Sequence, residues 1–400
     1  MNLERIIESL EEPEWLKNLR KENLNLFLKH PFPKWKRVDI SNLKIEEIDF
    51  SKREFEFNIK EDNALYLFDS KNPNGKIIDE PSYLFTDLSS ALKLNPELLK
   101  KLIEKNLIPS EEGKFQALGN SLWKNGFFLH VKKGSKIERP IVGKNISLKD
   151  KTLINRTIIY AERDSEFTFI EDFQSEEMDE SSFKISLLEI YLEEDVTAKV
   201  VSLNRRKGRG WDFFFKKGRI GSGSNLKDIS IEIGEGNSIG NFSIDLNERN
   251  SNAEISSIIA SKNKSFDHLF HVTHISPNTR SSIFSRGIVD GTGKGVWRGL
   301  THVKKGAKGA DVFQKSEIIL MGKESKADAI PSLWIDENDC RASHGASVFP
   351  LNLEKIFYFE SRGIEPSMAK NLIGKGFLMS VLNKEIEIDG IEGIIEDKLR

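Results

Sequence analysis

A mainly β fold, a solenoid of stacked rungs between helical ends, is what three observations predict. First, short apolar runs from Val303 to Asn352 (Val312-Phe313, Ile318-Ile319-Leu320, Leu333-Trp334-Ile335) are separated by small polar turns (Gly322-Lys323-Glu324-Ser325, Asp336-Glu337-Asn338-Asp339). Second, from Asn125-Gly126 onward β-branched and aromatic residues dominate, and helix-length apolar stripes are missing for about 220 residues. Third, units in which a small residue follows a polar pair recur, among them Asp195-Val196-Thr197-Ala198, Asn250-Ser251-Asn252-Ala253 and Asn338-Asp339-Cys340-Arg341-Ala342. A single rung cannot bury its own face, but a stack can. The intervals are irregular, and a sandwich or barrel is the competing β architecture.

The elements follow in order. Leu3, Ile6, Ile7 and Leu10 recur at helical spacing, as do Trp15, Leu16, Leu19, Leu24 and Phe27. His30-Pro31-Phe32-Pro33 ends that second helix, because proline lacks a donor and restricts the residue before it. The stretch from about 40 to 80 is charged and mixed, with Asn72-Pro73-Asn74-Gly75 as a turn. Asn95-Pro96 reads as N-cap and first-turn residue of a helix through Leu98, Leu99, Leu102 and Ile103. Strands then begin at Phe127-Phe128-Leu129-His130-Val131 and continue through Ile158-Ile159-Tyr160, Phe167 to Ile170, Ile185 to Leu192 and Ala198 to Leu203. After Pro350, Asn352 caps a helix through Ile356, Phe357 and Phe359, and Gly363 supplies its left-handed stop. A last helix from about Pro366 carries Met368, Leu372, Ile373, Phe377, Leu378, Val381 and Leu382 on one broad face, for packing on the stack or for a partner.

Four hundred residues predict two or three units or one elongated repeat, and 38% hydrophobic residues supply a sizeable core. A net charge of −2 gives no electrostatic reason to propose nucleic acid. The single cysteine excludes an internal disulfide framework and suits a reducing compartment. Met1-Asn2-Leu3-Glu4-Arg5-Ile6-Ile7 carries acids before any signal-like apolar region, and no apolar span approaches membrane-helix length. A cytoplasmic protein is the expectation.

Candidate chemistry is sparse. The glycine-rich run Gly287 to Gly295 does not spell a phosphate loop, so any ATP would be handled by another protein. On a strand, His268 and His274 share one face and His271 takes the other, so the three do not make one metal site. Arg205-Arg206-Lys207-Gly208-Arg209 with Lys216, Lys217 and Arg219 reads as a solvated basic loop. Cys340 and His344 pair a soft ligand with a borderline one, and an imidazole near a thiol can also activate it. Across a turn the two could approach or diverge, and two ligands do not complete a four-coordinate site. A buried cysteine beside a histidine satisfied in a turn is the plainer alternative.

The chain resembles the SufB/SufD family, scaffold subunits of the SUF iron–sulfur cluster assembly system. The resemblance rests on His274-Ile-Ser-Pro-Asn-Thr-Arg-Ser281, Gly287-Ile-Val-Asp-Gly291, Ala310-Asp311-Val312-Phe313-Gln314, Leu333-Trp334-Ile335, Ser343-His344-Gly345-Ala346 and Phe357-Tyr358-Phe359-Glu360-Ser361-Arg362-Gly363-Ile364. It is dense from about 265 to 382. Within the family the chain is closer to SufD: Ser325 stands where SufB has a cysteine before a proline (here Pro331), and Gly345 replaces the glutamate after the SufB histidine. His344 matches the SufD histidine implicated in cluster formation at the subunit interface. Cys340 lies two residues before Ala342, which holds the family's usual cysteine position.

The resemblance implies a right-handed parallel β-helix over 121–349, between a mostly helical domain at 1–120 and a helical one at 350–400. It implies a heterodimer with a SufB-like subunit through the β-helix, a homodimer being open to the isolated chain. An ABC-type ATPase, SufC-like, would dock on the C-terminal helices through Phe357, Tyr358, Arg362, Gly363, Ile373 and Phe377. The chain would be a non-catalytic subunit holding no stable cofactor, with iron or a transient iron–sulfur cluster at the seam and His344 as tentative metal ligand. Two other readings are a β-helical carbohydrate-active enzyme, which would be typically exported and acid-lined, and a self-sufficient metal or cluster scaffold, for which one cysteine is few.

Overall fold

The computed structural model describes residues 3–35, 37–40, 43, 64–69, 71–72, 75–147, 152–176, 182–382 and 391–399. Helices α1 (Leu3–Glu8) and α2 (Glu14–Lys29) precede β1 (Ala64–Phe68), β2 (Ile78–Asp79) and β3 (Tyr83–Asp87), and then come α3 (Leu88–Leu94), α4 (Pro96–Lys105) and α5 (Lys114–Leu122). The strands continue with β4 (Phe127–Val131), β5 (Ile141–Ser147), β6 (Thr152–Ala161), β7 (Glu166–Ser175), β8 (Phe183–Leu192), β9 (Thr197–Asn204), β10 (Trp211–Ile220) and β11 (Asn225–Glu232). They end with β12 (Asn237–Leu246), β13 (Asn252–Lys262), β14 (Ser265–His274), β15 (Arg280–Asp290), β16 (Lys294–Val303), β17 (Ala310–Leu320), β18 (Lys326–Ile335) and β19 (Cys340–Pro350). Three helices follow: α6 (Leu353–Glu360), α7 (Pro366–Met379) and α8 (Ile391–Leu399).

Successive strands alternate between two sheets. β1 and the odd strands from β5 to β19 form one; the even strands from β18 back to β4, then β3 and β2, form the other. Pairing is parallel throughout the stack, with β2, β3 and β4 antiparallel at its start. The result is a parallel β-solenoid of about seven turns.

One backbone corner repeats on the rungs. Gly134, Asp164, Asp195, Gly223, Asn250, Asn278 and Gly309, spaced 27 to 31 residues apart, all have φ between 55° and 72°, the left-handed region. Only Gly, Asn and Asp visit it at low cost. Each of these residues donates its N–H to a carbonyl of the next rung at 2.7–3.3 Å, as Asp195 does to Ser222 and Asn278 to Lys308. The units that look irregular in sequence are thus regular corners in which three residue types interchange.

Inward positions fill the solenoid with aliphatic and aromatic side chains, including a Phe242–Phe270 stack at 4.8 Å. The Trp297 ring lies where a Cβ on Gly299 would stand, 2.4 Å from the nearest ring carbon, so no side chain fits at 299. Outward faces are covered as well. Phe115 of α5 stacks on Phe213 at 4.0 Å, and α2 and α5 close the even sheet. Leu378, Val381, Leu382, Ile391 and Ile395 close the odd sheet over Val201, Ile229, Ile258 and Ile288. Double coverage explains why β8 is buried along its whole length, Lys184, Ser186 and Glu189 included, with apolar residues on both of its faces.

The helical ends differ from expectation in detail. α2 stops at Lys29 with His30 extended, as the prolines predict. The Asn95 side chain makes no capping bond; its N–H closes α3 on the Ala91 carbonyl, and Pro96 opens α4. The stretch 40 to 80, read as irregular, supplies β1, which adds a rung strand to β5. Within the expected Asn72–Gly75 turn, Pro73 and Asn74 lie outside the described residues. Asn352 caps α6 by accepting from the Glu354 and Lys355 N–H groups, and Gly363 has φ 76°. Because α6 buries none of its residues, Asn352→Ala is expected to cost about 1 kcal/mol locally. Several-fold faster hydrogen exchange confined to the α6 amides is the result that checks this.

Candidate functional site

The C-terminal rung is where the stack stops. β19 pairs with β17 on one side and β18 with β16, and among the described residues neither has a strand on its other edge. Such edges offer rows of unpaired N–H and C=O groups to another chain. Cys340, Ala342, His344, Ala346 and Val348 alternate onto the inward face of β19. Cys340 and Ala342 pack on Val303, Ala307, Ala310 and Val312, and Val348 on the main core. His344 lies in register over Gln314, which is fully buried, yet His344 itself is exposed. On the inner rungs the equivalent face is covered by the next turn; here no further strand follows among the described residues.

Beneath His344 the interior is polar. Gln314 Nε2 donates to Thr301 Oγ1 at 2.9 Å and to the Ser332 carbonyl at 3.0 Å. Gln314 Oε1 and Ser316 Oγ have no hydrogen-bond partner among the described residues, so the end of the stack holds unsatisfied acceptor capacity. Around the rung stand exposed apolar groups: Trp334 (59% exposed), Ile335 and Phe313. Trp334 sits edge-on to His302 at 5.7 Å, and His302 Nε2 lies 2.8 Å from Asp336.

Cys340 and His344 occupy one strand, not the two arms of a turn. Four residues of extended chain separate their Cα atoms by about 13 Å, so the pair cannot close on one ion. The Cys340 thiol donates to the Glu337 carbonyl at 3.2 Å, and burial, with Glu337 and Asp339 nearby, pushes its pKa up. That is the setting of a protonated thiol, not of an activated thiolate. Ser325 is buried in the turn before β18, its hydroxyl on the Gly322 carbonyl at 2.6 Å.

Other sequence candidates separate clearly. His268 and His274 point inward and are buried, while His271 faces outward. His268 meets Ser238 at 3.0 Å; His274 meets Thr279 and Ser281, each at 2.8 Å. Among the described residues no group of three or more His, Cys, Asp and Glu could hold a metal ion. The basic concentration is solvated only in part, at Lys207, Arg209 and Arg219. Arg206 is buried against Asp212, Arg205 grips Asp172 at 2.7 and 3.0 Å, and Lys216 reaches Asp228 at 2.5 Å inside the solenoid. Period-two alternation on β10 turns Lys216 inward, where an acid on β11 meets it. Sequence reading also missed Lys184, whose ammonium lies 3.8 Å from the Phe173 and Phe214 ring centroids; burial lowers its pKa to about 7.

The C-terminal helices present a second surface. Leu353, Phe357, Tyr358, Met368 and Leu372 are exposed, with the Arg362 guanidinium over the Tyr358 ring at 5.2 Å and Gly363 also in solvent. Ile373 is half-buried. Phe377 is engaged within the chain: Arg286 lies 4.6 Å over its ring and donates to its carbonyl, and Phe349 meets it edge-on at 6.2 Å. The broad apolar stripe of α7 therefore divides, its Leu378 side on the odd sheet and its Met368–Leu372 side open. No helix of the described residues is long and apolar enough to cross a membrane.

Among the described residues the parallel solenoid ends on an open rung and carries no closed metal-ligand set. Sequence comparison gives the family. Residues 144–377 match the SufBD core domain of the SUF system for FeS cluster assembly, more than half of the chain, and the chain belongs to that family. It is 26% identical to iron–sulfur cluster assembly SufBD family proteins of Staphylococcus saprophyticus, covering 94% of this chain and 87% of the relative, and of Staphylococcus haemolyticus, covering 92% and 85%. A Staphylococcus aureus relative with the same description matches at 26% over 94% and 87%.

Proposed function

We propose that this chain is the SufD-like subunit of a cytoplasmic SufBCD-type complex, and that its last rung is completed by a SufB-like subunit. The observation that carries this reading is the exposed imidazole of His344 on a strand face that is buried in the inner rungs, beside the two unpaired edges of β18 and β19. A partner strand laid on those edges would satisfy their backbone groups, cover Trp334 and Ile335, and desolvate the His344 ring.

In this arrangement the iron–sulfur cluster is cargo. His344 offers one nitrogen to iron or one proton site; the partner supplies the thiolates, since the only thiol here is protonated and about 13 Å from the imidazole. The chain has no phosphate loop and catalyses nothing itself. The open faces of α6 and α7, with Phe357, Tyr358, Met368 and Leu372, fit a SufC-like ATPase whose movement would be passed to the rung through the Phe377–Phe349 contact. A SufD-like assignment over a SufB-like one rests on Ser325 and Gly345 standing in place of a cysteine and a glutamate.

His344→Ala is expected to abolish cluster maturation in the native cell while leaving the denaturation midpoint of the isolated chain unchanged, because the ring makes no hydrogen bond among the described residues. Normal cluster delivery by that variant would remove His344 from the mechanism. Failure of the chain to co-purify with a second SufBD protein and an ATPase would remove the subunit assignment.

A further inference from the structure

A cleft of about 370 Å³ opens where α4 overhangs the outer face of the even sheet, far in sequence from the last rung. Its floor is a register-aligned column of side chains from three successive strands: Tyr160 on β6, Tyr191 on β8 and Arg219 on β10. Its roof is one face of α4, with Leu98 and Leu102 inward and Lys101 and Lys105 toward the opening. Arg163, in the turn after β6, closes one side. We propose that this cleft binds a small phosphorylated molecule, the phosphate among Lys101, Lys105, Arg163 and Arg219 and the body against Leu98, Leu102 and Ile220.

The charge distribution supports this. None of the four cationic side chains has an ion-pair or hydrogen-bond partner among the described residues. Lys101 and Lys105 sit four apart on one helix, a like-charge spacing that opposes the helix rather than supporting it. Lys105 is further placed over the Tyr191 ring at 5.2 Å, and burial, then Arg219 and Lys101, lower its pKa. Three carboxylates, Glu193, Glu194 and Glu248, share the walls, and two of them are held by hydrogen bonds from uncharged donors. Glu193 accepts from the Tyr160 hydroxyl and from the Arg163 N–H, and Glu248 accepts from the Ser222 N–H. Those donors are uncharged, so the three carboxylates keep their charge and the four cations leave one net positive charge, with the Lys101–Lys105 repulsion unrelieved. A dianion relieves that repulsion, and mixed Arg and Lys donors around a partly apolar cavity of this size suit a phosphate monoester better than a bare carboxylate.

The test is calorimetric titration of the full chain at low salt with AMP, adenosine and inorganic phosphate. AMP is expected to bind with a dissociation constant below about 1 mM, and adenosine not measurably, because the charges carry the recognition. Inorganic phosphate binding as tightly as AMP would keep the anion site and overturn the role given to the apolar wall. Arg219→Ala and Lys105→Ala are each expected to weaken AMP binding about tenfold, with the exposed Lys323→Ala as an unaffected control. Circular dichroism and the melting temperature confirm that the variants fold. Absence of AMP binding, or equal affinity in the Lys105→Ala/Arg219→Ala double variant, would overturn the proposal. Neither outcome bears on His344 or the last rung.

Discussion

Glu189→Ala is expected to lower the unfolding free energy by about 3–5 kcal/mol, because it strips a buried cation of its counter-charge. Glu189 is fully buried on β8. Its carboxylate accepts from Arg156 Nε at 2.7 Å and Nη2 at 2.5 Å, from the Tyr191 hydroxyl at 2.8 Å and from the Leu107 N–H at 3.0 Å. Truncation leaves the Arg156 guanidinium, itself 1% exposed, without a charge partner, and leaves the Leu107 N–H without an acceptor. Leu107 lies in the segment after α4, so the same carboxylate ties the helical layer to the sheet, and the loss should loosen both. Urea denaturation should show a lower midpoint at an unchanged slope. The paired change Arg156→Met/Glu189→Met should recover most of the loss, since it buries no charge at all. A cost under about 1 kcal/mol for Glu189→Ala would mean that water reaches the site and that the pair is not structural.

How much of this was legible beforehand depends on which physical rule wrote the signal. Apolar alternation and β-branched content marked the strands from Phe127 on, because burial on one or both faces selects residue type directly. The period was not legible, because the corner selects a backbone conformation rather than a residue: Gly134, Asp164, Gly223 and Asn250 satisfy the same left-handed φ with different side chains. β1 was missed because Ala64–Phe68 follows a charged stretch, and its pairing with β5 spans about 78 residues. Arg206 and Lys216 read as solvent-facing because isolated buried charge is costly. Their partners Asp212 and Asp228 come from the strand itself or from the neighbouring one, and sequence does not display that adjacency. His344 was visible as a motif residue. That it faces inward and yet is exposed follows only from β19 being the last strand of its sheet.

The acid side of the stability curve tests the interior most directly. Burial, then the charge of Lys264, holds His268 down at about 3, and burial holds His274 at about 4. Both rings are therefore neutral in the folded chain at any pH above those values, whereas in the unfolded chain they take up a proton near 6.5. The unfolded state binds more protons in the window between, so each histidine removes stability as pH falls from about 6.5, at about 1.4 kcal/mol per pH unit. Glu171 and Glu232, raised to about 7 mainly by burial, act with the opposite sign: folding favours their protonated forms, so they add stability as pH falls from about 7 toward 4.5. The wild-type curve alone thus mixes two opposing sets of groups. Comparison with His268→Gln/His274→Gln isolates the histidines, because the glutamates are common to both proteins. The variant should be the less stable at pH 8, where the hydroxyl partners Ser238, Thr279 and Ser281 favour the native rings. Its deficit should then shrink by about 3 kcal/mol between pH 6.5 and pH 5. A difference that stays constant across that range would show that the two imidazoles are charged or hydrated inside the solenoid, and that the polar seam between its sheets is wet.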